Sequence, residues 1–294
     1  TQSVHGVNNA QALKSAAVWY RQSGNTTLLD LNVQRMANMD TKHGLPTGLF
    51  CADELLCDEP ENKFPSRGSE LCAVVESMFS YETMFSVQGH VPFADRVERI
   101  AFNGLPATWA SPRGGDMWAH QYLQATNEVY AQVQDDHVWA NDGADAEMYG
   151  LQPNFVCCTA NGPQGWPKFA SKALFFTTPD GDYAVGAFAP ASATFPDDAV
   201  VEIDTEYPYG DVVTVRVTNA LGGNKLHVRI PSWATRAVVT VKTSGAHAVA
   251  VEEGEEEEAK AGRMFKVDVK EGNTTVRIDL NPDIRLESWY KTTV

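Results

Sequence analysis

The sequence is short of positive charge, of cysteine and of long apolar runs. Its 23 lysines and arginines face 38 aspartates and glutamates, a formal charge of −15, which disfavours nucleic acid and anionic membrane surfaces as partners. No apolar run approaches the roughly 18–20 residues of a membrane-spanning helix. A Gly-rich phosphate loop, a dinucleotide fingerprint and a nucleophile elbow are all missing, so phosphoryl transfer, nicotinamide chemistry and serine hydrolysis lack their usual parts. Five cysteines in 294 residues are too few and too spread for a disulfide scaffold, and their odd number leaves at least one outside any intramolecular disulfide. That points some of them toward metal binding or catalysis. The opening Thr1-Gln2-Ser3 has no Met, basic segment or apolar segment, so no signal peptide is visible and any such leader belongs to upstream sequence. Two sequons, Asn25-Thr26-Thr27 and Asn273-Thr274-Thr275, are usable in a secretory pathway.

What is present suits an ordinary globular protein long enough for two cores. Ala10, Leu13, Ala17 and Tyr20 fall on one face of a predicted helix over Val7–Tyr20, and Leu28, Leu31, Met36 and Met39 on another. A third helix opens at Ser69-x-x-Cys72 with a stripe of Val75, Met78, Phe79 and Phe85. Pro92 marks the start of a fourth, lined by Phe93, Val97, Ile100 and Ala101, and residues 161–174 predict a shorter one. Beyond Ala173 the period changes to short β-branched runs, at 184–188, 212–217, 225–230, 237–241 and 275–280, separated by Gly, Pro, Asn and Asp. The expectation is a helical part over 1–175 and a β-sandwich over 176–294. The acidic run Glu252–Glu258 reads as a solvated loop. Five or so helices leave a wide apolar surface open, so the helical part is expected to be the later portion of a larger domain.

Several residues could carry chemistry. Glu70 and Cys72 bring a carboxylate and a thiol together at a helix start, where anions are favoured. Taken alone they equally fit a commonplace N-terminal acid and a buried cysteine. The vicinal Cys157-Cys158 is less ordinary. A disulfide between adjacent residues is strained, whereas both thiols can ligate one ion, and with Glu70 and Cys72 they complete a Cys3Glu set suited to zinc. Cys51 and Cys57 are either a disulfide or two free buried thiols, with the balance toward free thiols and no chemistry assigned. Glu54 could supply a general acid, while Asp142–Glu147 reads as a surface turn. His5, His43 and His120 are candidates that could equally be structural.

Several of these segments, taken in order, resemble one family. His5-Gly6-Val7-Asn8, Gly48-Leu49-Phe50-x-x-Asp53-Glu54, Glu70-Leu71-Cys72-Ala73-Val74-Val75-Glu76, Cys157-Cys158-Thr159-Ala160-Asn161 and Gln164-Gly165-Trp166-Pro167-Lys168 are similar to glycoside hydrolase family 127, the β-L-arabinofuranosidases, and to the related family 146. The likeness covers about residues 5–190 and the β-rich tail only in general character. It implies an (α/α)6 toroid, of which this chain keeps the later helical hairpins, followed by a β-sandwich. It implies zinc held by Glu70, Cys72, Cys157 and Cys158, with Cys157 as nucleophile and Glu54 as acid/base. Sugar contacts are implied at His5 and at His120 or Tyr122. The implied activity is retaining removal of β-L-arabinofuranosyl residues from plant-type glycans by a secreted or extracellular protein. The alternatives are an inactive zinc-bearing carbohydrate-binding or structural module and a glycosidase for another sugar.

Overall fold

A computed structural model of the chain describes residues 4–57, 65–110, 119–126, 131–150, 156–244, 255–286, 288–289 and 292–293. The chain forms two compact units, one of Thr1–Gln88, Arg96–Phe169 and Arg285–Val294, the other of Gly89–Asp95 and Ala170–Ile284. A helical region is followed by multi-stranded sheets that resemble a β-sandwich. Among the described residues no helix is long and apolar enough to cross a membrane.

The first unit opens with α1 (Gly6–Ala12), α2 (Ser15–Ser23) and α3 (Thr27–His43). The single helix expected over Val7–Tyr20 is thus broken after Ala12. Ser80 accounts for the break: its Oγ donates to the Ala10 carbonyl at 2.6 Å, so a side chain takes the acceptor that the Lys14 N–H, next after the Leu13 N–H on Asn9, would use. The stripe survives, because Ala10, Leu13 and Ala17 are all buried. Gly24, at φ 65°, ends α2 as a left-handed cap with its N–H on the Tyr20 carbonyl.

Three short strands follow, β1 (Ala52–Asp53), β2 (Leu55–Leu56) and β3 (Ser69–Glu70), and then the long helix α4 (Leu71–Gln88). Glu70 therefore ends a strand, where the sequence pattern placed it at the start of a helix. Ser69 donates from Oγ to the Phe50 carbonyl at 2.7 Å and pairs with Ala52, which holds the segment extended up to Glu70. α4 buries 12 of its 18 residues, including Leu71, Val74, Val75, Met78 and Phe85, as befits a helix apolar on most sides. Ala10, Phe50, Ala52 and Ala73 form a cluster with Val7, Met39 and Leu56 packed against it. Gly6 admits the close approach of α1, since a Cβ there would meet Ala52 Cβ at 2.5 Å.

α5 (Val91–Arg99) leads through a wide turn at Ile100–Gly104 into the single turn α6 (Leu105–Ala107). Next come β4 (Trp109–Ala110), β5 (Ala119–His120) and β6 (Leu123–Gln124), then α7 (Val156–Asn161) and α8 (Gly165–Lys172). The helix expected over 161–174 is split here by a 3-10 turn at Gly162–Gln164, with Pro163 inside it. β2, β1, β3 and β6 form one small sheet in that order, with β1 and β3 parallel. The Asp142–Glu147 segment is not a plain surface turn: Ala146 and Glu147 are fully buried. Leu123 N–H donates to the Ala146 carbonyl and Gln121 Nε2 to the Glu147 carbonyl, so backbone pairing pulls the acidic stretch inward.

The second unit contains β7 (Phe175–Thr177), β8 (Tyr183–Val185), β9 (Ala191–Thr194), β10 (Val200–Thr205), β11 (Val212–Ala220), β12 (Lys225–Ile230), β13 (Val238–Ser244), β14 (Glu255–Glu258), β15 (Arg263–Asp268) and β16 (Gly272–Asp279). One sheet runs β14-β13-β16-β11-β10-β9 and the other β15-β12-β8-β7. Alternate residues point inward, as in Val213, Val215 and Val217 of β11 and Val276 and Ile278 of β16. Part of the acidic run expected as a loop is β14, antiparallel to β13 with Val238 opposite Glu258. A strand with one solvated side tolerates charge, so the run's composition does not forbid pairing. Arg229 is fully buried, paired with Asp95 and set 4.8 Å over the Phe188 ring.

Candidate active site and metal-binding cluster

The eight site residues that the resemblance implies lie in the first unit. Glu54 sits between β1 and β2 at φ 86°, a left-handed conformation that non-glycine residues rarely adopt and that surroundings must enforce. The Gly6 N–H donates to the Glu54 carbonyl at 2.8 Å, fastening the start of α1 to this turn. His5 caps α1, with Nδ1 accepting from the Asn8 N–H at 3.3 Å. The ring proton of a neutral His5 then resides on Nε2, which lies 2.7 Å from Glu54 Oε1 and donates to it. Tyr122 donates its hydroxyl to Glu54 Oε2. Burial, then the nearby Glu70 carboxylate, raises the Tyr122 phenol and keeps it a donor. Both Glu54 oxygens are thus gripped, while its side chain stays 36% exposed.

Cys51 and Cys57 close this turn as a disulfide with Cα atoms 5.5 Å apart, which replaces the expectation of free thiols. The hairpin of β1 and β2 brings the two positions into the ordinary range for such a bond. Asp53, next to Glu54, is also tied down. Arg67 grips its carboxylate through Nε and Nη2, the Ala140 N–H donates at 2.7 Å, and Asn141 Nδ2 donates at 2.7 Å. His43 Nδ1 donates to the Cys57 carbonyl at 2.8 Å, a role inside the fold.

The small sheet delivers the second group. β3 presents Glu70, and the Leu71 N–H that begins α4 donates to the Tyr122 carbonyl at 2.9 Å. Cys72 lies in the first turn of α4, and α7 brings up Cys157 and Cys158. Sulfur–sulfur distances are 3.5 Å for Cys72–Cys158 and 4.0 Å for Cys157–Cys158. Ligands at about 2.3 Å around a tetrahedral zinc would be spaced by about 3.8 Å, so these separations suit one ion. One ligand atom each from Glu70, Cys72, Cys157 and Cys158 lies within 4.8 Å of the others, and the same holds for His5, Glu54 and Glu70. Glu70 belongs to both groups and joins the two halves of the site.

The electrostatics of the cluster favour a cation. Glu70 is 3% exposed and its Oε2 has no hydrogen-bond partner. Burial, then Cys72 and Glu54, push its carboxyl up to about 9. The Cys72 thiol is brought down to about 7, chiefly by a hydrogen bond from Cys158, whereas burial and then Cys72 push Cys157 up to about 11. An orphaned carboxylate oxygen beside three thiols is a donor set for a thiophilic ion. Cys157 alone of the three sulfurs is exposed.

His120 is placed differently. It is 1% exposed, its Nδ1 donates to the Gln121 carbonyl at 3.1 Å, and its Nε2 accepts from Thr159 at 2.8 Å. It holds α7, one residue past Cys158. Asp142, in the stretch that the sequence pattern read as a surface turn, is a neighbour of the site. Its Oδ2 is buried without a partner, and burial, then Glu54 and Asp53, raise its carboxyl to about 7. Ties from the Ala140 N–H and from Asn141 to Asp53 set it there, and no local pattern announces such contacts.

No curated protein matches the chain. Among solved structures, a glycoside hydrolase superposes with a TM-score of 0.65 at 18% identity, covering 96% of this chain and 47% of that one. A GH127 β-L-arabinofuranosidase from Geobacillus stearothermophilus T6 gives 0.73 at 17%, covering 96% and 43%. A further GH127 β-arabinofuranosidase gives 0.67 at 17%, covering 93% and 42%. The chain therefore shares their fold and spans less than half of their length. The model of the β-L-arabinofuranosidase GH127 catalytic domain matches residues 3–171, more than half of the sequence. By that match the chain belongs to the GH127 β-L-arabinofuranosidase-like family.

Proposed function

We propose that the protein is a retaining glycosidase that removes β-L-arabinofuranosyl residues from plant-type glycans, with Cys157 as nucleophile and Glu54 as acid/base. The observation that carries this is an exposed thiol, Cys157, in a compact Cys3Glu cluster whose Glu70 also borders Glu54. Zinc fits the donor set, with Glu70, Cys72, Cys157 and Cys158 as its ligands, and when bound it supplies the positive charge that stabilises thiolates at neutral pH.

The chain's own residues then account for two displacements. Protonated Glu54 gives its proton to the glycosidic oxygen as the bond from that oxygen to the anomeric carbon breaks. The Cys157 thiolate forms a bond to the same carbon from the opposite face, giving a thioglycosyl intermediate. Glu54, now a carboxylate, takes a proton from water, the water oxygen bonds to the anomeric carbon, and the Cys157 thiolate departs. A thiolate replaces the second carboxylate of the usual retaining pair. His5 and Tyr122 hold the Glu54 carboxyl in place and border the sugar, and His120 contributes through Thr159. The toroid reading, in which the helices here are later hairpins of an (α/α)6 ring, the kinship with family 146 and secretion belong to the same proposal.

The test is release of 4-nitrophenol from its β-L-arabinofuranoside against a panel of other aryl glycosides, with zinc counted per chain. Cys157→Ser should abolish turnover; full activity in that variant refutes the nucleophile. A second reading is a zinc-bearing carbohydrate-binding or structural module without turnover. It predicts one zinc per chain and no hydrolysis of any glycoside in the panel.

A further inference from the structure

We propose that Asp53 is the positioning residue for Glu54, fixing the acid/base turn through a single buried carboxylate. The inference rests on the acid/base reading of Glu54. Asp53 is fully buried, and its carboxylate is saturated. Oδ1 accepts from Arg67 Nη2 at 2.9 Å and from Asn141 Nδ2 at 2.7 Å. Oδ2 accepts from Arg67 Nε at 3.2 Å, from Nη2 at 2.8 Å and from the Ala140 N–H at 2.7 Å.

The donors come from two separate segments of the chain. Arg67 stands just before β3, which ends in Glu70, whereas Ala140 and Asn141 lead into Asp142. Asp53 therefore locks the approach to Glu70 and the 140–142 segment onto the turn that carries Glu54. That turn needs a lock, because Glu54 at φ 86° occupies backbone space that a glutamate leaves when it is free to do so. The disulfide clamps the base of the turn and His5 and Tyr122 hold the carboxyl tip. The Gly6 N–H holds the Glu54 carbonyl, and to that Asp53 adds charge-assisted bonds, which are shorter and stronger than neutral ones. Loss of the charge should let the turn relax and swing the Glu54 proton away from the glycosidic oxygen.

The test uses Asp53→Asn and the milder Asn141→Ala in the whole, zinc-loaded chain, with Glu54→Gln as reference. The measured quantity is kcat/KM, which reports the steps up to departure of the leaving group, for an alkyl and for a 4-nitrophenyl β-L-arabinofuranoside. Nitrophenolate leaves without a proton, and an alkoxide does not. Asp53→Asn should cost about tenfold or more on the alkyl glycoside and under about threefold on the nitrophenyl one, with Asn141→Ala smaller in the same direction. Equal losses on both substrates would mean a merely structural carboxylate and overturn the proposal. Should Glu54→Gln itself show no such split, the acid/base reading is what fails. Hydrogen exchange supplies a readout independent of turnover. The Gly6 amide, bonded to the Glu54 carbonyl, should exchange about tenfold faster in Asp53→Asn while the β11 amides stay as they were. Unchanged exchange at Gly6 refutes the lock whether or not the chain hydrolyses anything.

Discussion

Replacing Glu70 by Gln should have opposite effects on stability with and without zinc. In the folded, metal-free chain burial, Cys72 and Glu54 raise the Glu70 carboxyl from its ordinary 4.5 to about 9. The folded state therefore holds a proton that the unfolded chain releases above pH 4.5, and stability falls as pH rises through the window from 4.5 to about 9. The cost grows by about 1.4 kcal/mol per pH unit, reaching about 3 kcal/mol at pH 7 and staying under about 1 kcal/mol at pH 5. Glutamine has no proton to lose, so in chelator at pH 7 Glu70→Gln should melt higher than the wild type. For a unit of this size the gain is on the order of 10 °C. At pH 5 the gap should nearly close. Zinc reverses the order, because at a free concentration a thousandfold above Kd the wild type gains about 4.1 kcal/mol, more than the about 3 kcal/mol it lacks, and the variant has lost an anionic ligand. Scanning calorimetry of both proteins at pH 5 and 7, with chelator and with zinc, gives all four values. A variant no more stable than wild type in chelator at pH 7 refutes the buried-carboxyl argument, and an unreversed order in zinc refutes Glu70 as a ligand.

Three further outcomes follow from the same structure. Cys157→Ser should block alkylation of the exposed thiol by iodoacetamide, since Cys72 and Cys158 are buried; mass spectrometry of the alkylated chain checks it. Asp95→Ala strips the carboxylate from the fully buried Arg229 and should cost about 3–5 kcal/mol in urea melts that follow the second unit. Removing the Cys51–Cys57 bond by a double Ala replacement frees a short loop, for a loss of about 2 kcal/mol in equilibrium unfolding.

The sheets were readable because burial alternates cleanly along them. β12 spans Lys225–Ile230, as its sequence pattern predicts, and the valines of β11 point inward at every second position. Helix existence was also legible, yet the break after Ala12 depends on a single distant hydroxyl, Ser80, reaching the Ala10 carbonyl. For the site, Glu-x-Cys and the vicinal cysteines supply the right chemistry, and only their resemblance to a family joined them. Glu70 is set by a sheet of two-residue strands that pairs Ala52 with Ser69 and Glu70 with Leu123, and α7 brings the vicinal cysteines to Cys72. Strands that short carry no periodic signal. The role of Asp53 is hidden for a related reason, since its partners Arg67, Ala140 and Asn141 lie far along the chain.

The glutamate strand β14 has a consequence for solubility. It lies at the outer margin of the six-stranded sheet, pairing with β13, where a bare row of amides and carbonyls would otherwise invite a strand from another molecule. Four consecutive acids at that margin mean that any incoming copy brings the same negative row, and Glu257 and Glu258 are exposed to meet it. Repulsion between identical edges makes stacking into fibrils self-defeating. The run therefore guards the sandwich against its own kind.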